Sequence, residues 1–388
     1  MKKKHLYPTI LSCIFFASCN DYSGNAITAI PDTSIVNISL SSIIDHCELI
    51  ALRSDRPDAV INDQFGLKLL VTDLYIYVLP AAPNNKKIHV FSNPDGNFIY
   101  CLDKIGRGPG EYLSITDFDV YKDSIYVLNL NTIITYTQSG NFIKEYKVGI
   151  RASNFKVIDE NTFLIVAMRT EEYKLYVINE QKGVINKYLR PKESLRLTKT
   201  VDPLLLDQNF LIYQLGRSND FALYNTKENS FKNERLVTQN ILSHEEEEKH
   251  LVKQGLNQFG LNDYNTLRAV HISKMAGTNK DLFFTIKDTR QGVKQTHYIM
   301  SKDNGKIRYA IEEPYIDDVS FTGSLLTHIN DGSSDNFFIS YFQASELKDG
   351  IKNFRSDSYT EPFILIKDFF ANYSGEDDDI VLVKFCFK

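Results

Sequence analysis

The sequence contains no tryptophan, although 22 tyrosines and 25 phenylalanines make it rich in other aromatic residues. This absence excludes the propeller class whose blades repeat a Trp-Asp dipeptide, and it leaves any aromatic binding surface to tyrosine and phenylalanine. Cationic residues are not in excess either, because 44 Lys and Arg stand against 49 Asp and Glu. Phosphate binding is built from clustered Lys and Arg, so we expect no nucleic-acid partner.

Long apolar runs are also scarce, and none reaches the roughly 20 residues that a membrane-spanning helix needs. The run from Leu6 to Ala17 is too short to span a bilayer, but it follows three lysines and ends beside small residues. A positive start, a short apolar run and small residues are together typical of a signal peptide. We therefore expect residues 1–18 to be removed from the mature protein.

Cys19 follows directly, in the order Phe16-Ala17-Ser18-Cys19, which resembles the bacterial lipobox. Cleavage before the cysteine of that motif leaves a new N-terminal residue that carries lipid; Phe16 stands where Leu is usual. We expect Cys19 to be lipidated and to hold the protein on a membrane, since buried acyl chains contribute about 0.8 kcal/mol per methylene group. Residues 19–34 then form a flexible tether. An ordinary secreted protein is the alternative.

Cysteine is the next scarce residue, with five in the whole chain. Loss of Cys13 with the signal and lipidation of Cys19 leave Cys47, Cys101 and Cys386. Three thiols permit one disulfide at most, so the chain is no disulfide scaffold. Both a Cys47–Cys386 bridge between the two ends of the fold and buried free thiols are compatible with these positions.

What the sequence does contain is a short strand pattern that recurs along the chain. A polar turn residue followed by a β-rich apolar run occurs about six times, at intervals of roughly 40 to 70 residues. The copies begin at Asp73, Asp123, Asn161, Asn209, Asp281 and Asn336. A second hairpin with Gly or Asn in its turn follows each of the first five, as tight primed turns require.

Four strands per unit and six units predict an all-β fold, a six-bladed β-propeller of four-stranded antiparallel blades over residues 35–388. Strands at residues 47–52 and 380–385 are expected to close the ring by pairing in the last blade. A pair of β-sandwiches is the alternative, but it would not sustain this repeat order.

One helix is predicted near residues 243–255, in the longest interval between repeats. Ser243 and Glu246 match a capping box, and Gly255 can end the helix. His244 and His250 lie six residues apart, which is not the i, i+4 spacing of a helical metal pair. The eight histidines form no ligand cluster, and we predict neither a metal nor a cofactor.

The segment between the first two units reads Gly106-Arg107-Gly108-Pro109-Gly110-Glu111-Tyr112. Its glycines allow a tight turn, but no helix follows that could hold a phosphate at its N-terminus. At these residues the sequence resembles the six-bladed β-propeller lipoproteins common in Bacteroidetes, which carry a Gly-x-Gly-Pro-Gly-Glu-Tyr segment after the first blade. The resemblance covers most of the mature chain and implies a propeller fold without an established activity.

Arg107, Glu111 and Tyr112 are the candidate ligand-binding residues, as a polar cluster at one mouth of the central channel. The alternative is that Arg107 and Glu111 satisfy backbone groups and each other while the glycines form the crossover between blades. No catalytic residue is assigned.

Two classes of propeller enzyme can be compared with the sequence. Ser301, Asp303 and Gly305 match the first half of a sialidase repeat, but Arg308 occupies the tryptophan position, so a hairpin turn explains this segment better. A cation held in the channel by Asp117, Asn154 and Asp202 would make the protein a metal-dependent hydrolase or lyase, which is the alternative function.

The function that we predict is that of a non-catalytic ligand-binding or protein-interaction module, anchored in the cell envelope as an outer membrane lipoprotein. Its ligand is expected to be a glycan, a peptide or a partner protein, with Tyr112 or Tyr359 as an aromatic platform. The sequence leaves both the periplasmic and the surface-exposed side of the membrane open.

Overall fold

The fold is taken from a computed structural model, which describes residues 25–29, 38–64, 66–81, 86–168, 170–190, 204–205, 210–214, 220–237, 270–288, 292–303, 306–330, 336–354 and 361–388. Within these ranges the chain forms 24 β-strands in six sheets, two α-helices and one turn of 3-10 helix. The predicted helix near 243–255 lies outside the described residues, as do Cys19, Asp202 and Tyr359.

Five of the sheets contain four antiparallel strands in chain order, and we call them blades 1 to 5. Blade 1 consists of β3 (Leu67–Val71), β4 (Tyr75–Pro80), β5 (Ile88–Ser92) and β6 (Phe98–Leu102). Blade 2 consists of β7 (Asp117–Tyr121), β8 (Ser124–Asn129), β9 (Thr132–Thr137) and β10 (Phe142–Lys147). Blade 3 consists of β11 (Ala152–Asp159), β12 (Thr162–Ala167), β13 (Leu175–Asn179) and β14 (Gly183–Tyr188).

Blade 4 consists of β15 (Leu204–Leu205), β16 (Phe210–Gln214), β17 (Asp220–Asn225) and β18 (Ser230–Val237). Blade 5 consists of β19 (Val270–Gly277), β20 (Asp281–Asp288), β21 (Lys294–Ser301) and β22 (Ile307–Glu312). A further strand, β1 (Asn25–Ala29), pairs in parallel with β18 at the outer edge of blade 4. These five residues fall within the segment assigned above to a flexible tether, and they form a strand there.

The sixth sheet joins the two ends of the chain and has three strands. Its order is β2 (Ile44–Leu52), β24 (Ile380–Phe387) and β23 (Phe338–Gln343), so the predicted pairing of the first and last strands is confirmed. The described residues therefore form five four-stranded blades, and the predicted number of six is wrong.

The reason is the conformation of the chain before β23. Buried Asp317 accepts hydrogen bonds from the backbone of Ser320 and Leu325, which holds this segment in turns. The chain reaches the fourth position of the sheet only at Ile329, which forms a single bridge with Ser340.

Apolar contacts between neighbouring sheets close the ring. Blades 1 and 2 share a core that includes Tyr77 and Phe118. The sixth sheet packs on both sides: Phe385 lies in a core with Phe283 of blade 5, and Leu382 lies in a core with Leu69 of blade 1. Each sheet buries its apolar faces only against its neighbours, as in other propellers.

Two helices between β23 and β24 were not predicted. The helix α1 (Ala344–Asn353) begins with a capping box in which Gln343 and Glu346 bond to each other's backbone N–H groups. The helix α2 (Glu361–Ala371) lies beside β2, the outer strand of the sixth sheet. No helix in the described ranges is long and apolar enough to cross a membrane.

Cys47, Cys101 and Cys386 are free thiols in the structure. Cys47 lies opposite Phe385 in the ladder between β2 and β24, and Cys386 lies opposite His46. Because successive side chains of a strand point to opposite faces, the thiols of Cys47 and Cys386 leave the sheet on different sides. Burial raises the pKa of the Cys47 thiol to about 12, which keeps it neutral.

Substitution of Phe385 by alanine tests the closing sheet. The ring of Phe385 is fully buried, so we expect Phe385→Ala to lower the free energy of unfolding by about 3 to 5 kcal/mol. Val184→Ala, at a half-exposed site in β14, is the control and should change it by less than about 0.5 kcal/mol. Chemical denaturation followed by circular dichroism measures both, and equal losses would contradict the closing role.

Candidate functional site

The first strand of each blade lies nearest the centre of the ring. Outer strands carry exposed residues, such as Ile99 in β6, Phe142 in β10 and Val184 in β14. In contrast, β7 begins with the buried residues Asp117, Phe118 and Asp119. The inner strands are therefore where polar side chains must find partners within the protein.

Asp117 connects three inner strands. One of its carboxylate oxygens accepts a hydrogen bond from Lys68 Nζ of β3 at 2.5 Å and from the N–H of Phe118 at 2.9 Å. The other oxygen accepts from the backbone N–H of Phe155 in β11 at 2.9 Å. Only 2% of the Asp117 side chain is exposed, against 25% for Lys68.

Asp119 repeats this arrangement two residues further along β7. Its oxygens accept from Lys156 Nζ at 2.5 Å and from the N–H of Val157 at 2.8 Å. Phe155 and Val157 are two residues apart in β11, so their N–H groups point to the same side, away from β12. The two aspartates thus satisfy the free edge of β11, which would otherwise expose unpaired donors.

Two further links continue this pattern around the centre. Lys274 of β19 donates to the carbonyl oxygen of Thr327 at 2.9 Å, and Asn330 donates to the carbonyl oxygen of Leu67 at 2.9 Å. We call these links and those of Asp117 and Asp119 the inner belt. The inner belt connects blade 5, the segment before β23, and blades 1, 2 and 3 through polar bonds.

The inner belt includes one residue of the alternative cation site, which would consist of Asp117, Asn154 and Asp202. Both carboxylate oxygens of Asp117 already accept hydrogen bonds, from Lys68, Phe118 and Phe155. Asp202 lies outside the described residues. Among the residues that the structure describes, no three His, Cys, Asp or Glu side chains form a group that could hold a metal ion.

The sequence analysis did not identify three partners in the inner belt, namely Asp119, Lys68 and Lys156. A signal for them does exist, because charged residues occur at alternate positions of otherwise apolar strands, as in Asp117-Phe118-Asp119. Such charges in a buried strand predict ion pairs, but their partners come from other blades and have no fixed spacing along the chain.

Tyr112, the third candidate ligand-binding residue, is part of the core between blades 1 and 2. Its side chain is fully buried, and its hydroxyl lies 2.8 Å and 2.9 Å from the carbonyl oxygens of Lys86 and Leu102. The N–H of Lys104 donates to the same hydroxyl at 3.2 Å. Burial raises the pKa of Tyr112, so the hydroxyl keeps its proton as a donor.

Arg107 and Glu111 are exposed on the same segment. Glu111 accepts a hydrogen bond from the N–H of Gly108 at 2.7 Å, which closes the turn locally. A side chain at Gly106 would overlap this carboxylate, and one at Gly110, where φ is +71°, would lie 2.5 Å from the Phe142 ring. The structure brings Arg107 and Glu111 to the surface but does not bring Tyr112 to it.

Exposed apolar side chains surround this segment. Ile105 and Leu113 flank it at 50% and 49% exposure, and Ile105 pairs with Tyr112 through a parallel bridge. Phe142, against which Gly110 packs, is 43% exposed, and its neighbour Ile143 is 47% exposed. We call Ile105, Arg107, Glu111, Leu113, Phe142 and Ile143 the loop surface.

A row of polar side chains crosses blade 5 with the residue types of a catalytic triad. His297 lies 2.9 Å from Thr285 Oγ1 through Nδ1 and 3.0 Å from Glu313 through Nε2. The hydrogen bond with His297 lowers the pKa of Glu313. His297 is fully buried and Thr285 is 2% exposed, so the row satisfies itself inside the blade and offers no nucleophile to a substrate.

The partial sialidase repeat is also structural. Arg308 donates two hydrogen bonds, at 2.6 Å and 2.8 Å, to the carboxylate of buried Asp281. The residue at the position of the sialidase tryptophan therefore ties β22 to the start of β20.

Comparison with known proteins assigns a family. The profile of DUF4934, a domain of unknown function, matches residues 26–385. The chain belongs to the DUF4934 family. Comparison of the DUF4934 chain with curated protein sequences gives no match. The resemblance of its Gly106–Tyr112 segment to a lipoprotein motif stays a prediction.

Comparison of the DUF4934 chain with solved structures gives matches that include two crystal structures from Bacteroides. A protein of Bacteroides fragilis NCTC 9343, provisionally described as exported, gives a TM-score of 0.71 at 17% identity, over 93% of this chain and 100% of that chain. A DUF4221 family member from Bacteroides vulgatus ATCC 8482 gives a TM-score of 0.49 at 9% identity, over 89% and 97%. At 17% identity the likeness to the Bacteroides fragilis protein concerns the fold alone.

Substitution of Asp117 tests the inner belt. Asp117→Asn keeps the side-chain shape but removes the charge that pairs with Lys68. We expect a loss of about 2 to 4 kcal/mol in the free energy of unfolding, below the full value for a buried pair because Lys68 is partly exposed. Glu160→Gln breaks the exposed pair with Lys122 and should leave stability nearly unchanged. Equal effects in chemical denaturation would show that the inner belt is not stabilising.

Proposed function

We propose that this DUF4934 protein is a lipoprotein of the outer membrane whose propeller is a non-catalytic binding module. Support for the anchor comes from the signal pattern of residues 1–18 and from Cys19 directly after it. The Bacteroides fragilis protein with a similar fold is provisionally described as exported, which agrees with this placement.

The loop surface is the binding site in this proposal, and its exposed apolar side chains are the observation that carries it. Ile105, Leu113 and Phe142 are each more than two-fifths exposed beside one short segment. Grouped apolar residues with a polar rim are typical of protein-interaction sites on soluble domains. Arg107 and Glu111 supply that rim here.

The segment behind the loop surface is rigid, which favours binding. Tyr136 donates to the carbonyl oxygen of Gly110 at 2.8 Å, and Glu111 accepts from Gly108. The Tyr112 hydroxyl bonds to the backbone of Lys86 and Lys104, which flank strands β5 and β6 of blade 1. A surface that is ordered before binding loses less conformational entropy when a ligand docks.

The hydrogen bonds of the buried aspartates and of the buried histidine support a role without catalysis. Asp117 and Asp119 commit both carboxylate oxygens to lysine and backbone donors, and His297 is enclosed between Thr285 and Glu313. These contacts are those of structural groups, since general acids and bases must reach a substrate proton.

The ligand that suits the loop surface is a peptide or protein segment. Aliphatic side chains such as Ile105 and Leu113 do not form the flat platform on which sugars stack. A partner would bury these side chains and place an acidic group near Arg107, whose guanidinium suits carboxylates. A glycan ligand is the other outcome that the binding experiment distinguishes.

Binding is tested with immobilised propeller, solubilised envelope proteins and a glycan array. Leu113→Ser and Arg107→Ala should each reduce retention of the bound protein at least about tenfold, since a buried leucine contributes roughly 1.5 to 3 kcal/mol. Val184→Ser, at a half-exposed apolar site in the outer strand β14, is the matched control for Leu113→Ser and should bind as the wild type does. Equal loss in all three variants, or glycan binding that none of them alters, would contradict the proposed surface.

The anchor is tested at Cys19. Mass spectrometry of the mature N-terminal peptide should find lipid on this residue, and Cys19→Ser should move the protein from the membrane fraction to the soluble fraction. Cys101→Ser, which changes a partly buried thiol in β6, should stay in the membrane fraction. An unmodified Cys19, or cleavage at another residue, would refute the anchor.

A further inference from the structure

The strand β1 follows the proposed lipidation site at a short distance. Asn25 lies opposite Glu234 and Ala29 opposite Val237, so β1 adds a parallel strand to the outer edge of β18 in blade 4. An added strand covers backbone donors and acceptors that the edge would otherwise expose. The chain is thus fixed to the propeller before it enters the sixth sheet at β2.

This pairing limits how far the propeller can move from a membrane that holds Cys19. Six Cα-to-Cα steps separate Cys19 from Asn25, and at full extension they span about 20 Å. Without β1, the chain would first join the described fold at Ile38, and nineteen steps would span about 65 Å. The longer connection would let the propeller turn freely, whereas the shorter one holds blade 4 near the lipid.

The direction of β1 indicates which part of blade 4 comes closest. Since β1 runs parallel to β18, its beginning lies toward the β17–β18 turn at residues 226–229 and its end lies toward Val237. The lipid-bearing end of the chain therefore approaches blade 4 from the side of that turn. Lys227 and Glu228 of the turn are both exposed.

The order of the sheets around the ring places the loop surface far from this point. Blades 3 and 2 separate blade 4 from blade 1 in one direction, and blade 5 and the sixth sheet separate them in the other. Blade 1 thus lies opposite blade 4. The segment Gly106–Tyr112 connects blade 1 to blade 2, and Tyr112 packs in the core between them.

We propose that β1 orients the propeller on its membrane, with the β17–β18 turn of blade 4 facing the lipid and the loop surface directed away from it. The proposal rests on the lipid anchor of the proposed function. In this orientation a partner reaches the loop surface from the side away from the membrane that carries the anchor.

The absence of tryptophan makes the orientation measurable. A single introduced tryptophan is the only indole in the chain, so its fluorescence reports one position. Lys227→Trp places it in the third hairpin of blade 4, and Asp95→Trp places it at an exposed site in the equivalent turn of blade 1. The lipidated full-length variants are bound to vesicles of phosphatidylethanolamine and phosphatidylglycerol that contain a dansyl-labelled lipid.

Energy transfer from tryptophan to the dansyl group should be several-fold greater for Lys227→Trp than for Asp95→Trp, because transfer falls steeply with distance. Equal transfer, or greater transfer from Asp95→Trp, would overturn the orientation. Vesicle flotation separates the two proposals: failure of the wild-type chain to float overturns the anchor and the orientation together, whereas flotation with equal transfer overturns the orientation alone.

The role of β1 is tested by placing Ala26→Pro and Thr28→Pro in both tryptophan variants. Proline removes the backbone N–H that strand pairing uses, so β1 should detach from β18 and lengthen the connection to Cys19. The transfer efficiencies of the Lys227→Trp and Asp95→Trp variants should then become similar. Ser23→Pro, which precedes β1, is the matched control and should preserve the difference. A difference that persists in the Ala26→Pro and Thr28→Pro protein would show that β1 does not orient the propeller.

Discussion

The pairing of β2 with β24 is the constraint on which the rest of the fold depends. Each blade has two apolar faces, and only a neighbour on either side can cover both. Without the sixth sheet, the faces of blades 1 and 5 that carry Leu69 and Phe283 would meet water. A strand from each end of the chain is needed to build that sheet, so the fold forms as one unit and not blade by blade.

Polar bonds at the centre of the ring complement the apolar contacts further out. Inner strands are edge strands, and an edge strand presents unpaired N–H groups. Asp117 and Asp119 meet two such groups on β11 and draw lysines to their remaining oxygens. Asp117 and Asp119 are therefore part of the architecture, whereas the ligand surface that we propose lies around the segment between blades 1 and 2.

The repeat of strands and turns was predictable because alternation and turn residues are local properties. The pairing of the terminal strands followed from the same pattern. The number of complete blades did not follow from this pattern. It depends on the turns before β23, which are held by hydrogen bonds of the Asp317 carboxylate to residues up to eight positions away. Tyr112 shows the limit for the site: the motif locates the crossover correctly, but only packing decides that its tyrosine points inward and Arg107 outward.

The ladder between β2 and β24 pairs residues that lie far apart in the sequence, and this separation affects how the protein folds. His46 and Cys386 pair although almost the whole chain lies between them. Contacts of such long range form slowly, since the loop must close before the contact stabilises anything. If the chain is exported N-terminus first, as the proposed anchor requires, its ring cannot close until the eight residues of β24 have crossed the membrane. The position of the final strand would then keep the ring open during transit.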